Sequence, residues 1–438
     1  MTAPPRDLLA LLRERGLVHQ VTDEALGPFS AGEPVTAYIG FDPTAPSLHA
    51  GSLYPVMLLA HLARAGHRPV ALLGTGTGLI GDPSGREAER PLPEEERVRE
   101  DARAMGAQIT GLLGRAGGDF LVLENREWLG GLRLVEFLRD TGKHFTVNWM
   151  MAKDSVRARL EDREQGISFT EFSYMLLQAY DFLRLHEDHG CRLQMGASDQ
   201  WGNITAGIEL IRKKTGGRAF GLTSPLLLTP AGKKFGKSVE GAVWLDPART
   251  SPYRFYQFWM NQEDALASTL LAAFTFLPME EVAAVRAAAA AAPQKRLAQR
   301  RLARETTLFV HGKDAADRAE KASGVLFGEG ALRDLDAATL EEVFAEVPGV
   351  TLPRSAVLGP PAALREIFTR PDLGLLSSTG DYWRQREQGA LYVNGERLLP
   401  PAEKRKDTAL DPAALIEGRL LVLRRGKKDY ALVRVVAG

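Results

Sequence analysis

One region, from Val35 to Gly85, alternates between strand-like and helix-like segments and thereby limits the folds open to this chain. The run VTAYIGF (35–41) predicts a buried strand, LHAGSLYPVMLLAHLARAGH (48–67) predicts a helix ended by Gly66, and Arg68 begins a second strand. A strand, a helix and a strand in close succession form the βαβ unit of a parallel sheet. We therefore expect an α/β fold whose ligands bind beyond the carboxyl ends of its strands.

The composition further along the chain changes in steps that predict domain boundaries. Strand patterns stop after Trp244–Pro247, which predicts an α/β domain over residues 1–250. Helix formers then dominate, so we expect an all-helical domain over 251–350. A stretch rich in Pro and Gly predicts a linker at 351–371, and residues 372–438 are typical of a small α+β module.

That last module carries two hairpin signals. Asn394-Gly395 favours a tight turn between strands. The second hairpin places Arg424-Arg425 and Lys427-Lys428 at its turn, which we interpret as an RNA-contact patch. The alternative is a solvated charged turn without a partner.

Charge and cysteine content exclude several classes of function. The 438 residues include 55 basic and 55 acidic side chains, so no global field draws the chain onto nucleic acid, and RNA contacts must be local. The single cysteine, Cys191, rules out an internal disulfide and a cysteine-based zinc site. The N-terminus lacks the apolar core of a signal peptide, and no apolar run is long enough to span a membrane. We therefore expect a cytoplasmic protein.

A helical segment at about 128–169 is rich in aromatic and methionine side chains. These residue types are enriched at protein interfaces, so we interpret the segment as a dimer surface. The alternative is an ordinary pair of core helices. The side chains in question are Phe137, Phe145, Trp149, Met150 and Met151.

Two short motifs about 180 residues apart carry the strongest chemical signal. In GFDPTAPSLHAGSL (40–53), His49 and Gly51 follow a strand and open a helix. A helix N-terminus presents unpaired N–H groups and a positive dipole end, and therefore attracts anions. His49 could donate to a phosphate oxygen, and Gly51 could let a flat base approach the backbone. A capping or surface histidine is the commoner reading of this motif alone.

The second motif is KKFGKSVEG (233–241), where Lys234, Lys237 and Ser238 lie on a glycine-rich loop (232–241). Such a basic loop is often merely solvated. Paired with the first motif, it completes an ATP site in which ammonium groups close on the leaving pyrophosphate. Together the two motifs indicate an adenylate-forming enzyme.

A third set of residues predicts the wall of a polar pocket. Tyr174, Gln178 and Asp181 are spaced to share one helix face. Asp82 in GDPSG could hold a substrate ammonium, and SDQWGN (198–203) adds polar groups at another strand end. The alternatives are a solvated stripe and a structural Asp-Pro turn.

These residues are part of a wider resemblance. From its N-terminal helix to its final hairpin, the chain resembles the bacterial tyrosyl-tRNA synthetases, which are class I aminoacyl-tRNA synthetases. The resemblance implies a Rossmann-like, doubly wound parallel sheet in a catalytic domain at 1–250, a helical anticodon-side domain at 251–350 and an S4-like RNA-binding domain at 372–438. Order and spacing make the matching runs specific; they are YIGFDPTAPSLHAG, TGLIGDPSG, FLRDTGKHF, GISFTEFSYMLLQAYDFL, SDQWGNITAG, KFGKS, SPYRFYQFW and YVNGER.

The resemblance also implies roles for individual residues. Tyr38 and Asp181 would hold a tyrosine phenol. The residues implied for tyrosine binding are Tyr38, Asp82, Tyr174, Gln178, Asp181 and Gln194. Those implied for ATP binding are Gly40, Asp42, Thr44, His49, Gly51, Gly196, Asp199, Gln200 and Lys237. Those implied for catalysis are Thr44, His49, Ser52, Arg86, Lys234, Lys237 and Ser238.

The family activates L-tyrosine with ATP, releases pyrophosphate, and transfers the tyrosyl group to the 3′-terminal adenosine of tRNA(Tyr). The tyrosine carboxylate is the nucleophile, so positioning and electrostatics carry the reaction and no Ser, Cys or His triad is needed. Mg²⁺ would accompany ATP, bound mainly through phosphate oxygens and water. The resemblance further implies a homodimer, and no structural metal is expected.

The sequence departs from the family pattern at three positions near the motifs. Ser52 replaces the second histidine of H-x-G-H, Pro55 stands in the first helical turn, and Ala197 replaces a glycine before SDQ. Two rival functions stay open, a tryptophanyl-type synthetase and a catalytically inactive RNA-binding paralogue. The pair of Tyr38 and Asp181 favours a phenol over an indole.

Overall fold

The computed structural model describes residues 6–82, 84, 93–153, 156–157, 167–228, 235–238, 241–326, 329–359, 361, 363–400, 407, 409–426 and 428–437, and only the backbone of 237 and 238. The predicted site residues Arg86 and Lys234, and Lys427 of the basic hairpin, lie outside this set. The chain divides into two compact units. The first comprises Met1–Thr250 and Phe258–Val310, and the second comprises Ser251–Gln257 and His311–Gly438.

A six-stranded sheet forms the centre of the first unit and confirms the predicted parallel α/β fold. Its strands have the order β1-β6-β5-β2-β3-β4; all neighbouring pairs are parallel except the edge pair β1–β6. The central strands are apolar because helices cover both faces of such a sheet. The strands are β1 (Gln20–Val21), β2 (Thr36–Phe41), β3 (Arg68–Leu73), β4 (Leu121–Glu124), β5 (Cys191–Ala197) and β6 (Phe220–Ser224).

Helices surround this sheet and connect its strands. They are α1 (Leu8–Glu14), α2 (Leu26–Gly32), α3 (Leu53–Arg64), α4 (Glu95–Ala116), α5 (Arg126–Leu129), α6 (Leu134–Asp140), α7 (Val147–Met151), α8 (Phe169–His189) and α9 (Trp201–Thr215). Further along follow α10 (Pro252–Met260), α11 (Asp264–Phe274), α12 (Met279–Ala291) and α13 (Leu297–His311). None of the described helices is both long and apolar enough to cross a membrane.

The helix predicted over 48–67 begins only at Leu53, and the reason lies in its backbone. The Ala50 N–H donates to Val243 O (2.7 Å), and Leu48 O accepts from the Leu245 N–H (2.8 Å). Residues 48–50 are therefore held in an extended bridge, and His49 and Trp244 face each other across it. A helical turn here would break these bonds.

The aromatic segment differs from the prediction in which side chains are exposed. Phe145 and Met150 are buried, and Phe137 and Trp149 pack against the same core cluster, so these four belong to the core. Of the predicted set only Met151 is exposed. The exposed apolar side chains of this region are instead Leu134, Val135, Leu138, Val147, Met151 and Phe169.

A five-stranded mixed sheet organises the second unit, in the order β11-β10-β12-β13-β9. Its strands are β9 (Gly349–Pro353), β10 (Leu391–Val393), β11 (Glu396–Arg397), β12 (Leu420–Arg425) and β13 (Asp429–Val436). The strands β7 (Lys237–Ser238) and β8 (Gly241–Ala242) form a separate hairpin in the first unit. The helices of the second unit after His311 are α14 (Lys313–Leu326), α15 (Ala337–Val343), α16 (Arg354–Leu358), α17 (Ala363–Phe368) and α18 (Thr379–Glu387).

The predicted linker at 351–371 contains ordered parts of this second unit. β9 pairs in parallel with β13, and Val357, Ile367 and Phe368 are buried in the core on one face of the sheet. These apolar side chains bury too much surface for a connecting segment. The helical region expected at 251–350 is also divided, because residues 258–310 belong to the first unit and 311–350 to the second.

Candidate active site

A cavity of about 280 Å³ opens at the carboxyl ends of the central parallel strands of the first unit. This is the edge where the sequence predicted a ligand site. We call it the polar cavity. Eleven predicted site residues line it: Tyr38, Gly40, Asp42, Asp82, Tyr174, Gln178, Asp181, Gln194, Gly196, Asp199 and Gln200.

The deep end of the polar cavity combines a carboxylate that accepts two hydrogen bonds with two unsatisfied polar atoms. Asp181 accepts from Asn125 Nδ2 (3.0 Å) and from Trp128 Nε1 (2.7 Å). The Tyr38 hydroxyl and Gln194 Oε1 are buried and have no hydrogen-bond partner among the described residues. Tyr38 and Gln194 both line the cavity, so these two atoms are available to pair with a molecule bound there.

Burial dominates the ionisation behaviour at this end. It raises the pKa of Asp181 to about 7, although the hydrogen bonds from Asn125 and Trp128 act in the opposite direction. Burial, together with the negative charge of Asp181, holds the pKa of Tyr38 well above its ordinary value. A carboxylate and a neutral phenol side by side can accept from and donate to one further hydroxyl group.

A second polar network closes the other wall of the cavity. Asp82 accepts from Gln200 Nε2 (2.6 Å) and from the backbone N–H of Ser84 (2.9 Å). Gln200 Oε1 accepts in turn from Gln178 Nε2 (3.1 Å), and Asn203 Nδ2 donates to Gln178 Oε1 (3.0 Å). Amide groups thus hold the Asp82 carboxylate in place while leaving no cation beside it in the described network, which suits a positively charged ligand.

Asp42 links the two walls at the end of β2. Its carboxylate accepts from the hydroxyls of Tyr174 (3.3 Å) and Thr77 (3.3 Å). Burial, then the charges of Asp42, Asp82 and Asp181, raise the pKa of Tyr174 well above its ordinary value. Gly74 permits this approach, because a Cβ there would stand 2.2 Å from Asp42 Oδ1.

The first signature motif lines the polar cavity only at its start, through Gly40 and Asp42, and its later residues Thr44, His49 and Ser52 are not among the cavity-lining residues. Thr44 is exposed, and Ser52 caps α3 without a hydrogen bond from its side chain. His49 Nδ1 accepts from the backbone N–H groups of Gly51 (3.0 Å) and Ser52 (3.3 Å). Since Nδ1 is an acceptor, the proton of the neutral ring is assigned to Nε2.

The second motif makes direct backbone contact with the first, in what we call the signature junction (residues 48–52, 235–238 and 241–246). A Cβ on Gly51 would stand 2.5 Å from Phe235 O, and a Cβ on Gly236 would stand 2.2 Å from Gly51 N. The two segments can lie this close only because both positions are glycine, and Gly236 has φ of +97°. The Phe235 ring is buried against Phe258 and Trp259, which anchors the start of the basic loop.

Backbone hydrogen bonds continue this link along the loop. Lys237 and Ser238 pair with Gly241 and Ala242 in the β7–β8 hairpin, which leads directly into the bridge with residues 48–50. The two motifs, distant in sequence, therefore form one continuous ladder. Of Lys237 and Ser238 the structure describes only the backbone.

The sequence analysis missed several residues of the site. Asn125 follows the carboxyl end of β4, a strand not identified from the short run LVLE, and Trp128 lies one turn further on. Asn125 Nδ2 also donates to Thr77 Oγ1 (2.9 Å), and its Oδ1 accepts from the Gly76 N–H (2.7 Å). A polar residue after an apolar strand was the available signal. Further lining residues not predicted are Tyr54, Thr77 and Ser224.

Comparison with protein families defines the class first. Residues 30–328 match the family of tRNA synthetases class I (W and Y), and residues 339–433 match the tyrosine--tRNA ligase SYY-like C-terminal domain. The chain therefore belongs to the class I tRNA synthetases and carries a C-terminal domain of the tyrosine type.

Individual relatives narrow the family. The chain is 49% identical over 431 residues to the tyrosine--tRNA ligase of Roseiflexus castenholzii, covering 98% of this chain and 99% of that protein. It is 49% identical over 436 residues to that of Bacillus caldotenax, with the same coverage. The C-terminally truncated mitochondrial tyrosyl-tRNA synthetase of Aspergillus nidulans superposes with a TM-score of 0.67 at 32% identity, covering 73% of this chain and 94% of that one. The chain belongs to the tyrosine--tRNA ligase family.

Proposed function

We propose that this protein activates L-tyrosine with ATP to tyrosyl-adenylate, releases pyrophosphate, and transfers the tyrosyl group to the 3′-terminal adenosine of tRNA(Tyr). The observation that carries the proposal is the buried, unpartnered Tyr38 hydroxyl beside the Asp181 carboxylate. A tyrosine phenol would donate to Asp181 and accept from Tyr38. Family membership supports the same reaction.

The remaining polar groups of the cavity suit the other end of the amino acid. Asp82, aligned by Gln200, would pair with the substrate ammonium, assisted by Tyr174 and Gln178. Gln194, whose Oε1 is buried and unpartnered, would contribute nearby. The substrate carboxylate would then point toward the signature junction, where ATP is bound.

The signature junction would bind ATP and stabilise the charge that develops on the leaving pyrophosphate. His49 Nε2–H and Thr44 would donate to phosphate oxygens, and Gly40, Asp42, Gly51, Gly196 and Asp199 would surround ribose and adenine. The phosphates would be covered by the polar side chains Arg86, Lys234, Lys237 and Ser238. Ser52, which replaces the second histidine of the motif, would donate a single hydrogen bond. Donors preorganised toward a developing charge lower the barrier of an in-line displacement.

Mg²⁺ would enter with ATP and be held by phosphate oxygens and water, where it neutralises phosphate charge. Within the described ranges, no group of three or more His, Cys, Asp or Glu side chains is arranged to hold a metal ion.

The C-terminal sheet offers a surface suited to tRNA. The Arg424 guanidinium lies 3.9 Å from the Tyr392 ring centroid, and Arg397 Nη2 and Arg424 Nη1 donate to the hydroxyls of Tyr392 and Tyr430 (3.4 Å each). Alternating guanidinium planes and aromatic rings are surfaces on which unpaired bases stack. Arg425, by contrast, is paired with Asp429 (2.6 Å). The stacking of Arg424 on Tyr392 supports the RNA-contact patch expected from the basic hairpin.

We also propose that two copies associate through the region at about 128–169. Leu134 and Val135 expose 71% and 76% of their surface on α6, and Phe169 exposes 78%. Exposed apolar side chains in one region are typical of an interface. Sedimentation of the protein and of Val135→Glu tests the dimer, and a monomeric wild type refutes it.

The buried Cys191 forms no disulfide, which supports a reducing compartment, the cytoplasm.

Amino-acid-dependent ATP–pyrophosphate exchange tests the reaction. We expect exchange with tyrosine. Exchange with tryptophan alone would identify a tryptophanyl-type enzyme, and no exchange with any amino acid would identify an inactive paralogue.

The Asp181→Ala variant tests the phenol assignment with the same assay. Tyrosyl-tRNA synthetases are themselves the standard example of discrimination by a buried partner for the phenol, and the reasoning is borrowed from them. We expect the variant to lose its preference for tyrosine over phenylalanine. An unaltered ratio of kcat/KM for the two amino acids refutes the assignment.

A further inference from the structure

We infer that Gln108, on helix α4, is a positioning residue for the activation step, because it fixes the turn from which His49 projects. This inference rests on the proposed function of the signature junction. Gln108 lies outside both signature motifs and outside the polar cavity. Its side chain nevertheless contacts the two residues that come immediately before His49.

The contact uses both ends of the Gln108 amide. The Leu48 N–H donates to Gln108 Oε1 (2.8 Å), and Gln108 Nε2 donates to Ser47 Oγ (2.9 Å). A backbone N–H can only donate, so the orientation of the amide is set by the network. Ser47 and Leu48 are both buried, and without Gln108 the Leu48 N–H would lose its acceptor in a region closed to water.

Ser47 extends this contact to the second half of the junction. Its hydroxyl donates to Leu48 O (2.8 Å) and accepts from the Asp246 N–H (3.3 Å). Leu48 O also accepts from the Leu245 N–H. The Gln108 amide therefore bonds to the first residues of the backbone ladder, which continues through Val243 to the β7–β8 hairpin.

The expected consequence is specific to activation. His49 follows directly on Leu48, and its Nδ1 is already committed to the start of α3, so a shift of the turn moves the Nε2–H by a similar amount. Displacement of a catalytic group by about 1 Å can cost up to 10²-fold in rate. The groups that we propose for tyrosine recognition, such as Tyr38, Asp82 and Asp181, lie outside the segment 47–49, so tyrosine binding should be little affected.

The test compares Gln108→Met with Gln108→Glu. Methionine keeps the length of the side chain and removes both hydrogen bonds. Glutamate restores an acceptor for the Leu48 N–H, and its second oxygen can accept from the Ser47 hydroxyl if that proton turns away from Leu48 O. Gln299→Met is the matched control, because Gln299 is also buried and donates to Gln262 O (3.1 Å) and Asp264 Oδ1 (2.5 Å), neither of which belongs to the junction.

Steady-state ATP–pyrophosphate exchange gives kcat and the KM values for tyrosine and ATP, and thermal melting gives the stability of each variant. We expect Gln108→Met to lower kcat about tenfold, with the tyrosine KM within about twofold of wild type. Gln108→Glu should recover most of kcat, and Gln299→Met should lose thermal stability without losing kcat.

Three results would overturn the inference: an unchanged kcat in Gln108→Met, a loss of kcat accompanied by an equal rise in the tyrosine KM, or the same loss in Gln299→Met. If Gln108→Met does not fold, Ser47→Ala replaces it. We then expect a smaller loss of kcat, again with the tyrosine KM nearly unchanged, and an unchanged kcat would contradict the inference. A wild-type enzyme that uses another amino acid would refute the proposed function, while the Gln108 comparison could still be made with that amino acid.

Discussion

The polar cavity and the signature junction lie side by side in one unit but are built by different means. The cavity is made mainly of side chains on strands and helices and in the loops that follow the strands, and its key groups are held by hydrogen bonds such as those from Asn125 and Trp128 to Asp181. The junction is made of backbone: a bridge, a two-residue hairpin and two glycines in close contact.

This difference matches the two tasks that we propose. Recognising one amino acid requires buried polar groups that are left unsatisfied when the wrong ligand binds. Stabilising a transition state requires donors that are held where the charge develops, so a loop positioned by its backbone is suitable. Mutations should therefore have different effects in the two regions. Those in the cavity should change the ionisation of its buried groups and the binding of tyrosine, and those in the junction should change the rate of activation.

The largest expected effect concerns the charge buried in the polar cavity. With a pKa of about 7 against an ordinary value of 3.8, folded Asp181 keeps a proton that the unfolded chain has lost between about pH 4 and pH 7. Stability should therefore fall as pH rises through that window, by as much as about 4 kcal/mol. Urea unfolding of wild type and Asp181→Asn across this range measures the effect. The variant should show a flatter profile, and parallel profiles would contradict a raised pKa.

At the junction, Lys237→Ala should slow activation with about 2–4 kcal/mol lost at the transition state, by analogy with other preorganised donors. Tyrosine binding should be unaffected, because the groups that we propose for tyrosine recognition, such as Tyr38, Asp82 and Asp181, lie outside the basic loop. Pyrophosphate exchange and equilibrium tyrosine binding separate the two quantities. Lys295→Ala, at an exposed position, is the control. Unchanged exchange in Lys237→Ala would show that the loop is a bystander.

The glycine contact at the junction can be tested by comparing two positions that both have positive φ. Gly236→Ala would bring a Cβ to 2.2 Å from Gly51 N, whereas Gly241→Ala would meet nothing within 4 Å. Backbone strain of about 1–2 kcal/mol is common to both. We expect the first variant to lose at least tenfold more kcat than the second, since only it separates the motifs. Equal losses would mean that backbone strain alone is responsible.

The smallest effect is expected from Asn125→Ala in the polar cavity. Asp181 keeps its bond from Trp128 but loses the one from Asn125, so tyrosine should bind more weakly by about 1–2 kcal/mol. The tyrosine KM in pyrophosphate exchange measures this, with kcat nearly constant. Asn394→Ala is the control, because Asn394 is equally buried and bonds to Ala414 O and the Val422 N–H in the second unit. A tyrosine KM that rises in both variants would contradict a local role.

The sequence predicted the parallel sheet and its central strands because these depend on short patterns, which also indicated Asp82, Tyr174, Gln178, Asp181, Asp199 and Gln200 in the polar cavity. The other five cavity residues came only from the resemblance to the family: Tyr38, Gly40, Asp42, Gln194 and Gly196. Apolar runs mark β2 and β3, and the spacing of Tyr174, Gln178 and Asp181 places them on one face of α8. It did not predict β4 or the contact of Asn125 with Asp181, since a four-residue strand gives little periodicity. Nor did it predict that 349–353 forms a strand, because that pairing with β13 spans about eighty residues.

The motifs themselves were determined by the sequence alone: which residues could carry the reaction and in what order they occur along the chain. Only the tertiary structure decided that residues 48–50 form a bridge to 243–245, that Gly236 rests on Gly51, and that the Gln108 amide holds the turn before His49. The physical reason is that these contacts join backbone groups far apart in sequence. A backbone N–H or carbonyl is the same at every position, so no residue type announces its partner.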